Sequence, residues 1–417
     1  MLKRFELERN HTTVSNEFFG GLTSFLASFY IIIVNPAILS QAGLPFEAVC
    51  TATVMIAAFT TILMGVYANN PIVLAPGMGM NAYFAFSVVI GKQVPTDVAL
   101  GIVFWSGILC VILSVLKVRE KIISFIPVSI RYAVSAGIGI FIAFIGFQKG
   151  GVITHNEVTL VELAPISNLT ITFFASLFFS GFLVMKNVKG SLILSILFTF
   201  LLTLPFGRLY GTEALIVWKG LVQMPNFELF GQLNLVDSLQ PALIPIILSF
   251  MFTDLFDTIS TLVGVCEAGN LLDKNGMPRN MKKTLIADAI ATPLAAILGT
   301  SSTTSFIESA AGIQQGARTG LSSVFAGALF LPFLFFSPLL SMFPVFTTAP
   351  VLVIVGMFMM SSVSKIEWDR TEVALPAFLA IILIPLTFSI TTGLMVGLAA
   401  FYMLRLFQWA LKKFQKA

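Results

Sequence analysis

Apolar runs close to the length of a bilayer crossing recur along this chain, punctuated by Gly, Pro and charge. Spanning a hydrocarbon core of about 30 Å takes roughly 20 apolar residues in a helix. On that scale the pattern predicts spans near residues 17–40, 47–68, 72–90, 97–116, 123–147, 169–186 and 190–205. A second set falls near 239–265, 282–298, 299–313, 316–338, 345–361, 372–389 and 391–411. The segments 72–90 and 299–313 are too short or too polar to be ordinary lipid-crossing helices.

Composition agrees with an all-α polytopic membrane protein, since 57% of the 417 residues are hydrophobic and 11% are charged. A transmembrane β-barrel would instead alternate polarity over segments of about ten residues. The start, MLKRFELERNHTTVSNEFF, has no small-residue cleavage site after a short apolar core, so no cleavable signal is expected. Fourteen crossings put both termini on one side. That side then collects all twenty-four basic residues except Lys92, Lys149, Arg208 and Lys219. Short cytoplasmic loops carry such an excess, so both termini are expected in the cytoplasm of a multi-pass plasma (inner) membrane protein. The net charge of +4 follows from those loops. No basic segment interleaved with aromatics points to nucleic acid.

Residues 206–238 form the long central connection, where apolar positions at helical spacing suit an interfacial amphipathic helix on the outer face. Seven spans precede it and seven follow. With an odd number in each, two homologous halves would be inverted relative to one another, an arrangement that places ligands between discontinuous segments near the midplane. The odd segments are the third of each half. In NNPIVLAPGMGMNAYFAFSVVIG, Pro71, Pro76, Gly77 and Gly79 interrupt any regular helix before Asn81 and Tyr83. In LGTSSTTSFIESAAGIQQG, Ser301, Ser302, Thr303, Thr304 and Ser305 favour extended backbone. Irregular backbone survives at membrane depth only when buried in protein or lining a cavity, so both are expected to line the same one.

Three carboxylates occupy spans: Asp254 and Asp257 in MFTDLFDTIS, and Glu308 in FIES. Each ionised carboxylate near a bilayer centre costs about 2.5–3.5 kcal/mol on insertion scales, and such groups mark pathways or protein interiors. Asp254 and Asp257 are i, i+3 and Asp254 and Thr258 are i, i+4 on one helix face. Two like charges there cannot both ionise cheaply, which suits a proton carrier. Asp288 lies near a basic end and reads as paired or snorkelling, and Glu17 as an interfacial residue. Cys50, Cys110 and Cys266 are isolated packing residues, and His11 and His155 sit in a terminus and a loop. Neither a metal site, a cofactor nor a disulfide is expected.

No Lys or Arg stands in the middle of any span, so an anionic substrate would meet carboxylates without a compensating cation. A neutral ligand rich in hydrogen bonds fits better, its N–H donors on carboxylates and its plane against Phe306 or Tyr83.

Together, APGMGMNAYFAF, MFTDLFDT and GTSSTTSFIESAAGI make the chain resemble the purine permeases of the AzgA-like branch of the nucleobase–ascorbate transporter superfamily, over essentially its whole length. The resemblance implies a seven-plus-seven inverted repeat with short extended stretches in segments 3 and 10. It also implies a core from residues 1–122 and 239–340 and a gate from 123–238 and 341–417. It points to Asn81, Asp254, Asp257 and Glu308 for purine recognition and to proton coupling, with Asp254, Asp257 and Glu308 as the proton candidates. The expected function is therefore proton-coupled uptake of adenine, guanine or hypoxanthine by alternating access, with no catalytic residues. Glu308 is the principal ligand, joined by Asp254, Asn81, Phe306, Tyr83, Thr304 and Ser305. Partners are the purine, protons and lipid; a homodimer is compatible with the sequence. The FIES order sets the chain apart from uracil, xanthine and ascorbate carriers. An intramembrane aspartyl protease is disfavoured because the YD and GxGD signatures are missing. A channel would show flux uncoupled from protons.

Overall fold

The computed structural model describes residues 2–116, 127–188, 190–206, 220–268, 271 and 279–414. Among them eight helices are long and apolar enough to cross a membrane, including Phe46–Ala68, Thr96–Val115, Val128–Lys149 and Asn168–Met185. Shorter apolar helices at Met78–Ile90, Ser191–Thr203, Gly320–Phe335 and Thr371–Thr387 occupy four more predicted spans. The remaining two are Met281–Leu298, which is less uniformly apolar, and the discontinuous tenth segment.

The first segment is itself broken, into Val14–Ser28 and Ile31–Leu39. Pro36 inside the second piece cannot donate to the Ile32 carbonyl, and the Cys50 thiol reaches that oxygen instead at 3.9 Å. Buried Asn35 donates to Thr53 Oγ1 at 2.7 Å and Thr300 Oγ1 at 2.8 Å, tying segments 1, 2 and 10 together.

Strand β1 (Leu74–Pro76) lies in segment 3, β2 (Ile153–Asn156) and β3 (Leu160–Leu163) form a hairpin between segments 5 and 6, and β4 (Thr303–Ser305) lies in segment 10. Strands β1 and β4 pair antiparallel, Ala75 opposite Thr304, inside the helical body. Their ladder extends through Gly77 N to Ser302 O (3.0 Å) and Phe306 N to Val73 O (2.9 Å). Backbone groups facing away from the partner strand bond to helices: Leu74 N to Thr61 Oγ1 at 3.0 Å and Val73 N to Ser309 Oγ at 2.9 Å. Extended chain is stable there because these donors are satisfied inside the protein. Gly77 is required by the pairing, since a Cβ on it would stand 2.8 Å from Thr304 Oγ1.

Loop contacts sort the ends of the molecule. Arg279, before segment 9, donates to Asn10, to Asn69 O (3.0 Å) and to Arg318 O (2.7 Å), so the N-terminus and the loops after segments 2, 8 and 10 meet at one end. At the other end, residues 220–236 run across the loops. Gln223 N bonds Phe335 O (2.9 Å), Gly231 N bonds Ile297 O (2.8 Å) and Asn234 N bonds Asp97 O (3.0 Å). This alternation is that of fourteen crossings.

Two expectations change here. The amphipathic helix proposed for 206–238 is not seen at 220–236, where loop partners take the backbone hydrogen bonds and Gly220 and Gly231 adopt positive φ; residues 207–219 lie outside the described residues. Glu17, expected at an interface, stands near the loop end of its segment but is enclosed by protein: it is fully buried, accepting from the backbone N–H groups of Arg318 (2.8 Å), Thr319 (3.1 Å) and Ser322 (3.1 Å) at the start of helix Gly320–Phe330. A carboxylate there satisfies donors that the helix cannot. The loop residues Lys117, Arg119, Lys121, Lys189, Lys274, Arg208 and Lys219, and Lys416, also fall outside the described residues.

Candidate functional site

Next to the β1–β4 pair lies a cavity of about 180 Å³. Drug-sized ligand sites run to roughly 300–1,000 Å³, so this one suits a single small heterocycle. Its walls come from Gly77, Met78 and Gly79 after β1, from Thr304 to Glu308, from Asp257 and Thr261 of helix Ile244–Ala268, and from Tyr30. Facing them are Tyr132 and Ser135 of segment 5 and Val355 to Lys365 of segment 12. Segments 5 and 12 pack closely, because Gly139 and Gly356 each present a backbone carbonyl where the other would carry a Cβ.

Of the residues singled out in the sequence, Asp257, Glu308, Phe306, Thr304 and Ser305 are brought together on this cavity. Thr304 stands beside Asp257 on the cavity wall. Tyr30 donates to Glu308 Oε1 at 2.6 Å, within the short range of charge-assisted bonds.

Asp254, Asn81 and Tyr83 do not line it. Asp254 is 1% exposed and sits behind β4, accepting from Ser302 Oγ (3.1 Å) and Thr292 Oγ1 (3.4 Å). An i, i+3 pair is offset around the helix, and here the offset puts Asp257 at the cavity and Asp254 against helix Met281–Leu298. Asn81 is fully buried, its Oδ1 taking a hydrogen bond from Ser301. Tyr83 is also buried, with its ring 4.9 Å from Phe250 and its hydroxyl 3.1 Å from Thr391 Oγ1. The stacking role expected of Tyr83 falls to no residue of its helix in this conformation; Phe306 and Tyr30 supply the aromatic wall.

Four residues escaped the sequence reading. Tyr30 follows Phe29 in the first apolar run and Tyr132 follows Arg131 at the start of segment 5, and no local pattern marks either. Lys365 closes segment 12 and lines the cavity, its Nζ 5.6 Å from the Tyr132 ring centre. Asp288 is not a snorkelling residue: it is fully buried and accepts from Thr258 Oγ1 (2.8 Å) and Ser305 Oγ (3.3 Å). Its place two turns into the helix, opposite Thr258, carries it past the basic end. Asp254 and Asp288 therefore hold Ser302, just before β4, and Ser305, its last residue, through their hydroxyls.

Lys365 also borders a second cavity, about 320 Å³, with Pro127, Glu367, Arg370, Glu372 and Arg405. There the charges answer one another, Arg370 pairing with Glu367 at 3.0 Å and Glu372 at 2.9 Å. The acid-lined central cavity is the better ligand site.

Comparison with known proteins fits this geometry. The Permease family model Xan_ur_permease matches residues 15–396. The chain is 37% identical to the adenine permease AdeP of Escherichia coli, over 97% of this chain and 91% of that protein. It is 39% identical to the guanine/hypoxanthine permease PbuO of Bacillus subtilis, over 95% and 93%. Among solved structures it resembles the transmembrane domain of the cyanobacterial bicarbonate transporter BicA, with a TM-score of 0.66 at 17% identity over 92% of this chain and 97% of that one. It also resembles SLC26A9, with a TM-score of 0.65 at 10% identity over 95% and 66%. These two likenesses concern the fold alone. A family match across nearly the whole length, with full-length relatives above 30% identity, establishes that this chain is a multi-pass membrane transporter belonging to the Permease family.

Proposed function

We propose that the protein carries a purine nucleobase across the membrane, coupled to protons, by alternating access. The observation that carries this reading is the pairing of two carboxylates, Asp257 and Glu308, with the aromatic wall of Phe306 and Tyr30 in a cavity sized for one heterocycle. The relatives named as adenine and guanine/hypoxanthine permeases supply the ligand class. Purine N–H groups meet Glu308 and Asp257, ring acceptors meet backbone N–H groups after β1, and the plane lies against Phe306. A buried carboxylate that binds a neutral ligand is also a site where a proton can enter or leave with it. In this reading Asp257 and Glu308 exchange the proton and Asp254 braces β4.

The packing supports a division into core and gate. Segments 1 to 4 and 8 to 11 carry β1, β4 and the acids. In this reading segments 5 to 7 and 12 to 14 form the gate, with 5 and 12 facing the cavity, 5 packed on 12 and 13 on 14. Relative motion of the two would expose the cavity to either side. Both termini are assigned to the cytoplasm of the plasma membrane from the basic loops at their end, and the cavity reaches that end at Lys365. The cavity is lined by residues of a single chain, so a homodimer would leave this scheme unchanged. The test is competition: binding of labelled adenine or hypoxanthine to purified protein, displaced by unlabelled purines and not by uracil. Displacement by uracil at equal potency would move the reading to a pyrimidine carrier of the same fold.

A further inference from the structure

Segment 1 breaks at Phe29 and Tyr30, between helices Val14–Ser28 and Ile31–Leu39, and the break turns one phenol into the body of the protein. Tyr30 is 2% exposed. Its hydroxyl contacts a residue 278 positions away, Glu308, and its ring centre lies 6.4 Å from that of Phe306 at 37°. All three border the central cavity. The O–H bond to Oε1 occupies one acceptor site of that oxygen and fixes the plane of the group, so Oε2 is the oxygen with both sites free of Tyr30.

We infer that Tyr30 is a positioning and specificity residue that acts through Glu308, competing at Oε1 and directing purine N–H donors toward Oε2. The inference rests on the purine reading and deepens it. With both oxygens free, a carboxylate accepts two adjacent donors side by side, such as N1–H and the 2-amino group of guanine. With Oε1 sharing its acceptor capacity with Tyr30, a second donor there is weakened and the site favours a lone donor on Oε2, such as N1–H of hypoxanthine. Polar sites discriminate strongly when a buried group would otherwise be left unpaired.

The experiment measures hypoxanthine and guanine affinities for wild-type protein and Tyr30→Phe, with transport capacity at saturating substrate recorded beside them. Tyr30→Phe is expected to weaken hypoxanthine about tenfold, the scale of one hydrogen bond to a charged group. Guanine, able to use the freed acceptor capacity, is expected to weaken less, so the guanine-to-hypoxanthine affinity ratio rises. Replacing Tyr30 by 3-fluorotyrosine retains the hydroxyl and is expected to hold the ratio at or below the wild-type value. A ratio that stays constant or falls in Tyr30→Phe, or rises with 3-fluorotyrosine, overturns the inference. Wild-type protein that binds neither base would instead overturn the function proposed above.

Discussion

Ser302 Oγ donates to Asp254 Oδ1 at 3.1 Å, and the carbonyl of the same serine receives the N–H of Gly77 at 3.0 Å. Asp254 is thus one side chain removed from the strand pair and on the far side of it from the cavity.

The two acids of helix Ile244–Ala268 should therefore separate experimentally. Asp254→Asn presents donors where Ser302 and Thr292 already donate, and is expected to lower stability by about 1–3 kcal/mol, the cost of an unsatisfied buried group. Asp257→Asn is expected to leave thermal stability near wild type and weaken purine binding about tenfold or more. Melting curves and binding isotherms of both variants check the split; the reverse pattern would put Asp254 at the ligand.

Glu308→Gln keeps size but exchanges an acceptor for an amide and removes the charge. Binding is expected to weaken about ten- to a hundredfold. Near-normal affinity in an equilibrium binding assay would reduce Glu308 to a structural partner of Tyr30.

Gly77→Ala forces a methyl to within 2.8 Å of Thr304 Oγ1. Purine affinity is expected to fall, and Thr304→Ala in the same chain to relieve the clash, so the two substitutions are expected to be non-additive. A double-mutant cycle on binding measures this; strict additivity would mean that the strands are not paired as described.

Glu17→Gln weakens the cap that holds the N–H groups of Arg318, Thr319 and Ser322. A loss of about 1–3 kcal/mol in stability is expected with purine affinity unchanged. Thermal unfolding with parallel binding tests it, and a selective loss of affinity would contradict it.

What the sequence revealed depended on range. Hydropathy located the spans to within a few residues, because lipid imposes one rule on every crossing. The two irregular segments were legible because Gly, Pro and hydroxyl runs act locally. Which carboxylate reaches the cavity was not legible, since the offset between Asp254 and Asp257 matters only once Thr292 and Ser302 are in place. Tyr30 and Asp288 were missed for the same reason: their partners, Glu308 and Ser305, lie in another segment, and no local pattern marks them.

The central claim is tested most directly by uptake of labelled adenine, guanine and hypoxanthine into proteoliposomes whose lumen is alkaline relative to the outside. At least one of these purines is expected to accumulate above its external concentration, and the accumulation to collapse on adding a protonophore. No saturable flux of any of them would contradict purine transport, and accumulation unaffected by the protonophore would contradict proton coupling.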